Sequence, residues 1–190
     1  MSNKSFFGSF ETHTKVKLTI YHEYLKRYLR ILQHAGPVES IHIYDMFCGK
    51  GYTADNQKGS AILGIEEAIT SVSETRTNKQ VYIYLNDNDE NNCEALRQHV
   101  ESLEYIPSNV TVEISCKDFH GSLDDIYQSC RSGQFSANDR LLFFIDPYGY
   151  KYTDPETMVS IMESFNAEVM LFIPITNIHR FWGADTPNEA

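Results

Sequence analysis

The sequence lacks any CxxC pair and any Cys/His spacing suited to a metal: Cys48, Cys93, Cys116 and Cys130 stand far apart. A zinc knuckle and a disulfide framework are therefore unsupported, and reduced thiols in or near a core are expected, with no bound metal. No apolar run approaches the roughly 20 residues that span a bilayer, and no early apolar segment follows a basic leader. No membrane association is expected, and a cytoplasmic location is the default. Basic residues are scarce as well, 16 Lys and Arg against 26 Asp and Glu, for a formal charge of −10. Phosphate contacts need clustered cations, so binding of nucleic acid over the whole surface is disfavoured. Internal repeats and low-complexity tracts are missing too.

What is present fits one ordinary domain, 190 residues with 42% apolar and 22% charged positions, enough to bury a sizeable core. The charge is uneven. Up to Pro37, Lys4, Lys15, Lys17, Lys26, Arg27 and Arg30 face only Glu11 and Glu23, a balance of +4, and the remainder balances at −14. Within this segment Leu18, Tyr21, Leu25, Tyr28 and Leu32 recur at helical spacing, with Thr12 or Thr14 as candidate caps. Residues 1–37 thus read as a basic helical segment that docks its apolar face on a core formed by residues 38–190. Its charged face is either simply solvated or turned toward a polyanion.

After Pro37 short runs rich in Ile, Val, Tyr and Phe alternate with amphipathic segments of helix length. SIHIYDMF, QVYIYLND, NVTVEIS, RLLFFID and EVMLFIPI are the strand candidates; GSAILGIEEAITSV, ENNCEALRQHVESL, SLDDIYQSCRS and DPETMVSIMESF are the helices. TSVSETRTNKQ reads as a polar connection. Such alternation signals βαβ units and a doubly wound, mostly parallel, Rossmann-like sheet. Ligands in these sheets bind beyond the carboxyl ends of the strands. Four successive strand ends carry polar residues there: Asp45 to Gly51, Asn86 to Asp89, Lys117 to Phe119, and Asp146 to Gly149.

The first of these ends, YDMFCGKGYT, formally contains the dinucleotide fingerprint as GKGYTA, Gly49 to Ala54, which would point to NAD and an oxidoreductase. The surroundings do not match. The next helix starts only near Ser60, and Asp87 comes 33 residues after Ala54, where the fingerprint wants an acid at about 20. Instead Asp45 lies upstream of the glycines, in DxFxGxG. That pattern resembles the first motif of Rossmann-like S-adenosylmethionine methyltransferases. A carboxylate at the turn suits a cofactor with an ammonium and a sulfonium, where it would repel a pyrophosphate. The resemblance implies cofactor contacts from Asp45, Phe47, Gly49 and Gly51, ribose hydroxyls on Asp87, and the adenine amine on Asp118 with Phe119 beside the ring. Taken singly, Asp87 also fits a helix N-cap and Asp118 a turn; Asp89 reads as the cap of the second helix.

FFIDPYGY is similar to the DPPY-type motif of methyltransferases that act on exocyclic amines of nucleobases. By that resemblance Asp146 and the Pro147 carbonyl accept the amine's hydrogens, and Tyr148 stacks on the base. The second proline is missing, and DPYG is also a good β-turn sequence. The tract KLxxxxxYLxxYLxIL at Lys17 to Leu32, then DMFCGKGY, Gly59-Ser60, NDND, KDF, FFIDPYG and NIHRF together resemble the three-Cys-motif partner family (TcmP), from about Thr14 to Phe181. Membership would imply a bacterial methyltransferase-like protein whose partner bears a three-cysteine motif. Cys48 and Lys50 stand where that family tends to have Ala and Pro, and Asp87 where it often has Glu. Lys50, if turned inward, would pair with a carboxylate or oppose the cofactor's charge.

The expected function is therefore S-adenosylmethionine-dependent methyl transfer, with a nucleic acid as acceptor and a partner protein. The alternative is a non-catalytic binding module or partner subunit in a bacterial defence or mobile-element system. His120 fits a base in the cleft or a helix cap, and His179 with Arg180 fits phosphate contacts or a helix start. Only five strands precede Ile175, whereas such sheets commonly close with two more, so the chain is expected to lead a longer protein or to need a partner at its edge.

Overall fold

The computed structural model describes residues 4–53, 56–149, 152, 154–165 and 167–173, with side chains from His13 onward. Five strands, β1 (Ser40–Asp45), β2 (Gln80–Asp87), β3 (Val110–Cys116), β4 (Arg140–Ile145) and β5 (Glu168–Leu171), form one sheet in the order β3-β2-β1-β4-β5. Every pairing is parallel. Between them run α2 (Ser60–Thr75), α3 (Glu90–Glu101), α4 (Phe119–Arg131) and α5 (Pro155–Phe165), preceded by α1 (Lys4–His34). This is the doubly wound, Rossmann-like arrangement expected from the alternation of strands and helices.

The two-residue period of a strand sorts its side chains between the two faces. Ile41, Ile43, Leu142 and Phe144 pack under α1, α2 and α3 with Tyr21, Leu25, Ile62, Ile65 and Leu96. Tyr44, Leu141, Phe143 and Ile145 pack under α4 and α5 with Leu123, Ile126, Ile161 and Phe165. Because both faces are covered, the inner strand β4 is apolar after Arg140 and β1 and β2 are mainly aliphatic and aromatic between their ends, as parallel sheets require, whereas the edge strand β3 also carries Thr111, Glu113 and Ser115. Polar exceptions are therefore informative, and most of the buried ones gather at the strands' carboxyl ends: Asp45, Asn86 and Asp87.

The expected docking stripe of α1 is partly realised. Tyr21, Leu25 and Tyr28 are buried together with Leu29, while Leu18 and Leu32 are half-buried. Tyr21 lies 4.2 Å from the ring of Phe144. The helix begins at Lys4, so Thr12 and Thr14 sit inside it and cap nothing, a correction to the sequence expectation. Its other end is closed by Lys79, whose ammonium donates to the carbonyls of Leu32 and Ala35, placing a cation at the negative end of the helix dipole.

Two other boundaries move. Helix α2 continues through Thr75 into the expected polar connection and stops where Arg76 turns left-handed, φ 51°, donating its N–H to Val72. Helix α4 starts at Phe119, three residues early, because Asp118 caps it by accepting from the Gly121 N–H at 3.0 Å. His120 is therefore not the cap. All four cysteines are free thiols, Cys48 and Cys93 buried and Cys116 and Cys130 half-buried. Among the described residues no helix is long and apolar enough to cross a membrane, and no group of three potential ligands is placed to hold a metal ion.

Candidate functional site

The chain's strand order reverses between β1 and β4, since β2 and β3 extend the sheet one way and β4 and β5 the other. Parallel sheets open a crevice beyond the strand ends at such a point. A cavity of about 310 Å³ lies at these ends, lined by Met46, Phe47, Asn86, Asp87, Asn88, Asp89, Asn92, Lys117, Phe119, Tyr148, Gly149 and Tyr152. Of the residues expected to contact cofactor or acceptor, Phe47, Asp87, Phe119 and Tyr148 line it, and Asp45, Gly49, Gly51, Asp118, Asp146 and Pro147 do not.

The glycine turn that follows β1 forms one wall. Gly49 and Gly51 hold φ of 61° and 87°, the left-handed region that side chains resist. Two of the turn's N–H groups are already engaged, Gly49 donating to Asp87 Oδ2 at 3.0 Å and Cys48 to the Asn86 carbonyl at 2.9 Å, and Gly59, just ahead of α2, donates to the Gly51 carbonyl at 2.7 Å. A phosphate cradle needs such groups free and a helix starting at once, but α2 starts at Ser60. A Cβ on Gly51 would stand 2.9 Å from Leu96 Cδ1, whereas one on Gly49 would meet nothing within 4 Å. Gly51→Ala should accordingly lower stability by about 2–4 kcal/mol, through strain and overpacking together, and Gly49→Ala by about 1 kcal/mol. Urea denaturation of both variants checks the ranking; equal losses would contradict it.

Asp87 connects this turn to the second strand end. It is buried, and its other oxygen, Oδ1, accepts from the Asp89 N–H at 2.9 Å and from Asn92 Nδ2 at 3.1 Å. The cap of α3 is Asp89, which accepts from the Asn91 N–H at 2.8 Å, as its position in the sequence suggests. Asn86 braces three strand ends: its Nδ2 donates to the Lys117 carbonyl at 2.9 Å and to the Met46 carbonyl at 3.5 Å, and its Oδ1 accepts from Ser115 Oγ and the Lys117 N–H.

The third strand end contributes aromatic surface. Phe47 and Phe119 stack nearly parallel, 13° apart with centroids at 5.5 Å, and Tyr152 tilts against both at 5.4 and 5.5 Å. His120 is exposed and packs edge-on against Phe119. Asp118 sits between the lining residues Lys117 and Phe119, with its carboxylate turned to the helix start.

Beneath the turn, Asp45 is fully buried. Burial pushes its carboxyl up to about 7, aided by the charges of Asp146 and Asp87 and opposed by Ser60 and the Phe47 N–H. Among the described residues its Oδ2 has no hydrogen-bond partner. Such an oxygen favours either a proton or a nearby positive charge. Cys48, beside it, is no nucleophile, because burial and the charges of Asp45 and Asp87 push its thiol up. Lys50 is exposed, so it does not neutralise Asp45 from inside the turn.

At the fourth strand end, Pro147 is buried and Tyr148 is 93% exposed at the cleft mouth. Asp146 is gripped from α1: Lys17 Nζ lies 2.6 and 2.7 Å from its two oxygens. Lys17, Asn92 and Tyr152 were not foreseen as site residues. No short-range sequence pattern ties them to the strand ends, although the basic bias of the first helix was the one visible hint of Lys17. Ala54, His179 and Arg180 lie outside the described residues. No protein-family model matches this chain, and no curated protein matches it either.

Proposed function

We propose that the cleft binds S-adenosylmethionine and that the protein transfers its methyl group to an amine, with a nucleic acid as the acceptor and a partner protein assisting. The observation that carries this proposal is the charge of the glycine turn. Asp45, Asp87 and Asp146 stand at the ends of neighbouring strands, near enough for the latter two to raise the proton affinity of the first, and the Gly49 and Cys48 amides that could meet a pyrophosphate donate to Asp87 and the Asn86 carbonyl instead. That environment favours a cation over a phosphate, which weighs against NAD.

The residues present fit the cofactor. The Asp87 carboxylate, which lines the cavity, supplies an acceptor, the buried Asp45 beneath the turn adds negative charge, and the stacked Phe47 and Phe119 offer apolar flanks for a planar ring. When bound, the cofactor supplies a methyl group on a positively charged sulfur. The protein's own part is positioning: Asp146 and the Pro147 carbonyl receive the amine's hydrogens, Tyr148 covers its plane, and the aromatic wall excludes water. The capping role of Asp118 leaves Phe119 as the stronger adenine contact.

Titration calorimetry of the 190-residue chain with S-adenosylmethionine, S-adenosylhomocysteine and NAD tests this proposal. Both sulfur ligands should bind at micromolar concentrations. Failure of both at millimolar concentration would sink the assignment, and NAD binding alone would restore the oxidoreductase. The contrasting function, a binding module without catalysis, draws on the Lys17 grip that occupies Asp146. Cofactor binding without methyl transfer to any amine acceptor would favour it.

A further inference from the structure

Three acidic residues, Asp45, Asp87 and Asp146, stand at the carboxyl ends of the neighbouring strands β1, β2 and β4, and the cation set against Asp146 comes from a separate element. Lys17 reaches from α1 to the carboxyl end of β4, where its ammonium meets both oxygens of Asp146 and lies 5.7 Å from the centre of the Phe172 ring. A carboxylate on one side and an aromatic face on the other is a general chemistry for holding an amine. Docking of α1 does not require this contact, because Tyr21, Leu25 and Leu29 already anchor the helix. An ion pair at 35% and 25% exposure also contributes little to stability. Solvent reaches the pair, and the buried Asp45 beside it keeps an unpartnered oxygen.

We propose that Asp146 and Phe172 form an amine-binding subsite and that Lys17 occupies it as a built-in surrogate, which an incoming amine must displace. The catalytic meaning of the subsite rests on the methyltransferase proposal, in which Asp146 receives the acceptor's amine; the binding chemistry does not. The shared ligand chemistry is an N–H-donating amine, from an aliphatic ammonium or from a nucleobase. Lys17 thereby makes the first helix a gate over the acceptor position rather than only a cover for the sheet.

Lys17→Ala in the full chain removes the surrogate and leaves room for a ligand. Amide signals of Tyr148, Gly149 and Phe172 are then followed by NMR during titration with n-butylammonium chloride, with cytidine, and with n-butanol as the uncharged control. In the variant at least one amine should give saturable shifts at concentrations tenfold or more below any response of the wild-type chain, and butanol should give none. A response to n-butylammonium assigns the subsite to aliphatic amines; a response to cytidine alone assigns it to a base amine. Absence of a saturable response to both amines in Lys17→Ala overturns the proposal, as does an equal response in the wild type or one that persists when Asp146→Ala, which removes both acceptor oxygens, is added. Circular dichroism verifies that each variant is folded, and Lys17→Met, which keeps the apolar stem, should respond in the same direction. S-adenosylmethionine titrated in parallel separates the two claims: an amine response without cofactor binding would sink the methyltransferase assignment and leave the subsite standing.

Discussion

Replacing Asp87 with alanine is expected to abolish measurable cofactor binding and to lower stability by about 2–4 kcal/mol, because three donors lose their acceptor in a buried place. The Gly49 N–H, the Asp89 N–H and the Asn92 amide all converge on this one carboxylate. The Gly49 contact ties the end of β2 to the glycine turn after β1, so its loss loosens the wall that the ligand must meet. Asp87→Asn separates the two effects. It keeps the shape and one acceptor oxygen but turns an NH2 group toward one of the former donors, so stability should fall less than in the alanine variant while affinity still falls by about a hundredfold, roughly 2.7 kcal/mol. Urea denaturation and calorimetry with S-adenosylmethionine read the two quantities independently. Unchanged affinity in a folded Asp87→Ala protein would remove this residue from the site and take the strongest acceptor of the proposed cleft with it.

The second large effect concerns pH, where two buried groups pull in opposite directions. His42 is held near a pKa of about 4 by burial, against an ordinary value of 6.5, despite the opposing pull of Asp139. Between those limits the unfolded chain binds a proton that the folded chain refuses, so the His42 contribution is complete above about 6.5 and is lost as pH falls toward 4. Asp45 behaves inversely. Its folded value of about 7 exceeds the ordinary 3.8, so its contribution is complete below about 4 and is lost as pH rises through 7. In the wild-type chain the two slopes largely offset between pH 4 and 6.5. Asp45→Asn, which mimics the protonated acid, should unmask the rising slope and be more stable than wild type at pH 8 by on the order of 4 kcal/mol, since each tenfold change in proton affinity is worth about 1.4 kcal/mol. His42→Phe should unmask the falling slope. Denaturant midpoints from pH 4 to 8 measure both, and parallel curves for wild type and Asp45→Asn would show that Asp45 does not titrate in this window.

The same property of Asp45 bears on the ligand. A cation that binds beside the turn drives the proton off this residue, so affinity for S-adenosylmethionine should rise with pH through about 7 and binding should release a proton. A pyrophosphate ligand would produce the opposite dependence. Calorimetry in buffers of different ionisation enthalpy detects the proton directly.

Much of the architecture was legible because it depends on local pattern. QVYIYLND coincides with β2 to the residue, and the alternation of β-rich and amphipathic runs leaves little choice but a parallel sheet covered on both faces. The placement of polar residues at successive strand ends also follows from that alternation, since topology alone sends those ends to one edge. Helix ends were less legible. Thr12 and Thr14 have the chemistry of caps, yet α1 runs past them from Lys4, and α2 overruns a polar connection until Arg76. Helix propensity changes little across these positions, so packing of the adjoining turns decides the boundary.

By itself the sequence determined the doubly wound architecture, most of the docking stripe of α1, the glycine-rich turn after the first strand, and the acidic character of the strand ends. Each is a statement about neighbours along the chain, and local sterics and periodicity settle it. The tertiary structure alone decided what those residues do to one another. It buried Asp45 with an unpartnered oxygen, gave Asp118 to a helix cap, drew Asp87 onto the glycine turn, and brought Lys17 onto Asp146 across 129 positions of sequence. Protonation, charge balance and ligand preference depend on distances and burial through space, and those exist only once the helices have closed over the sheet.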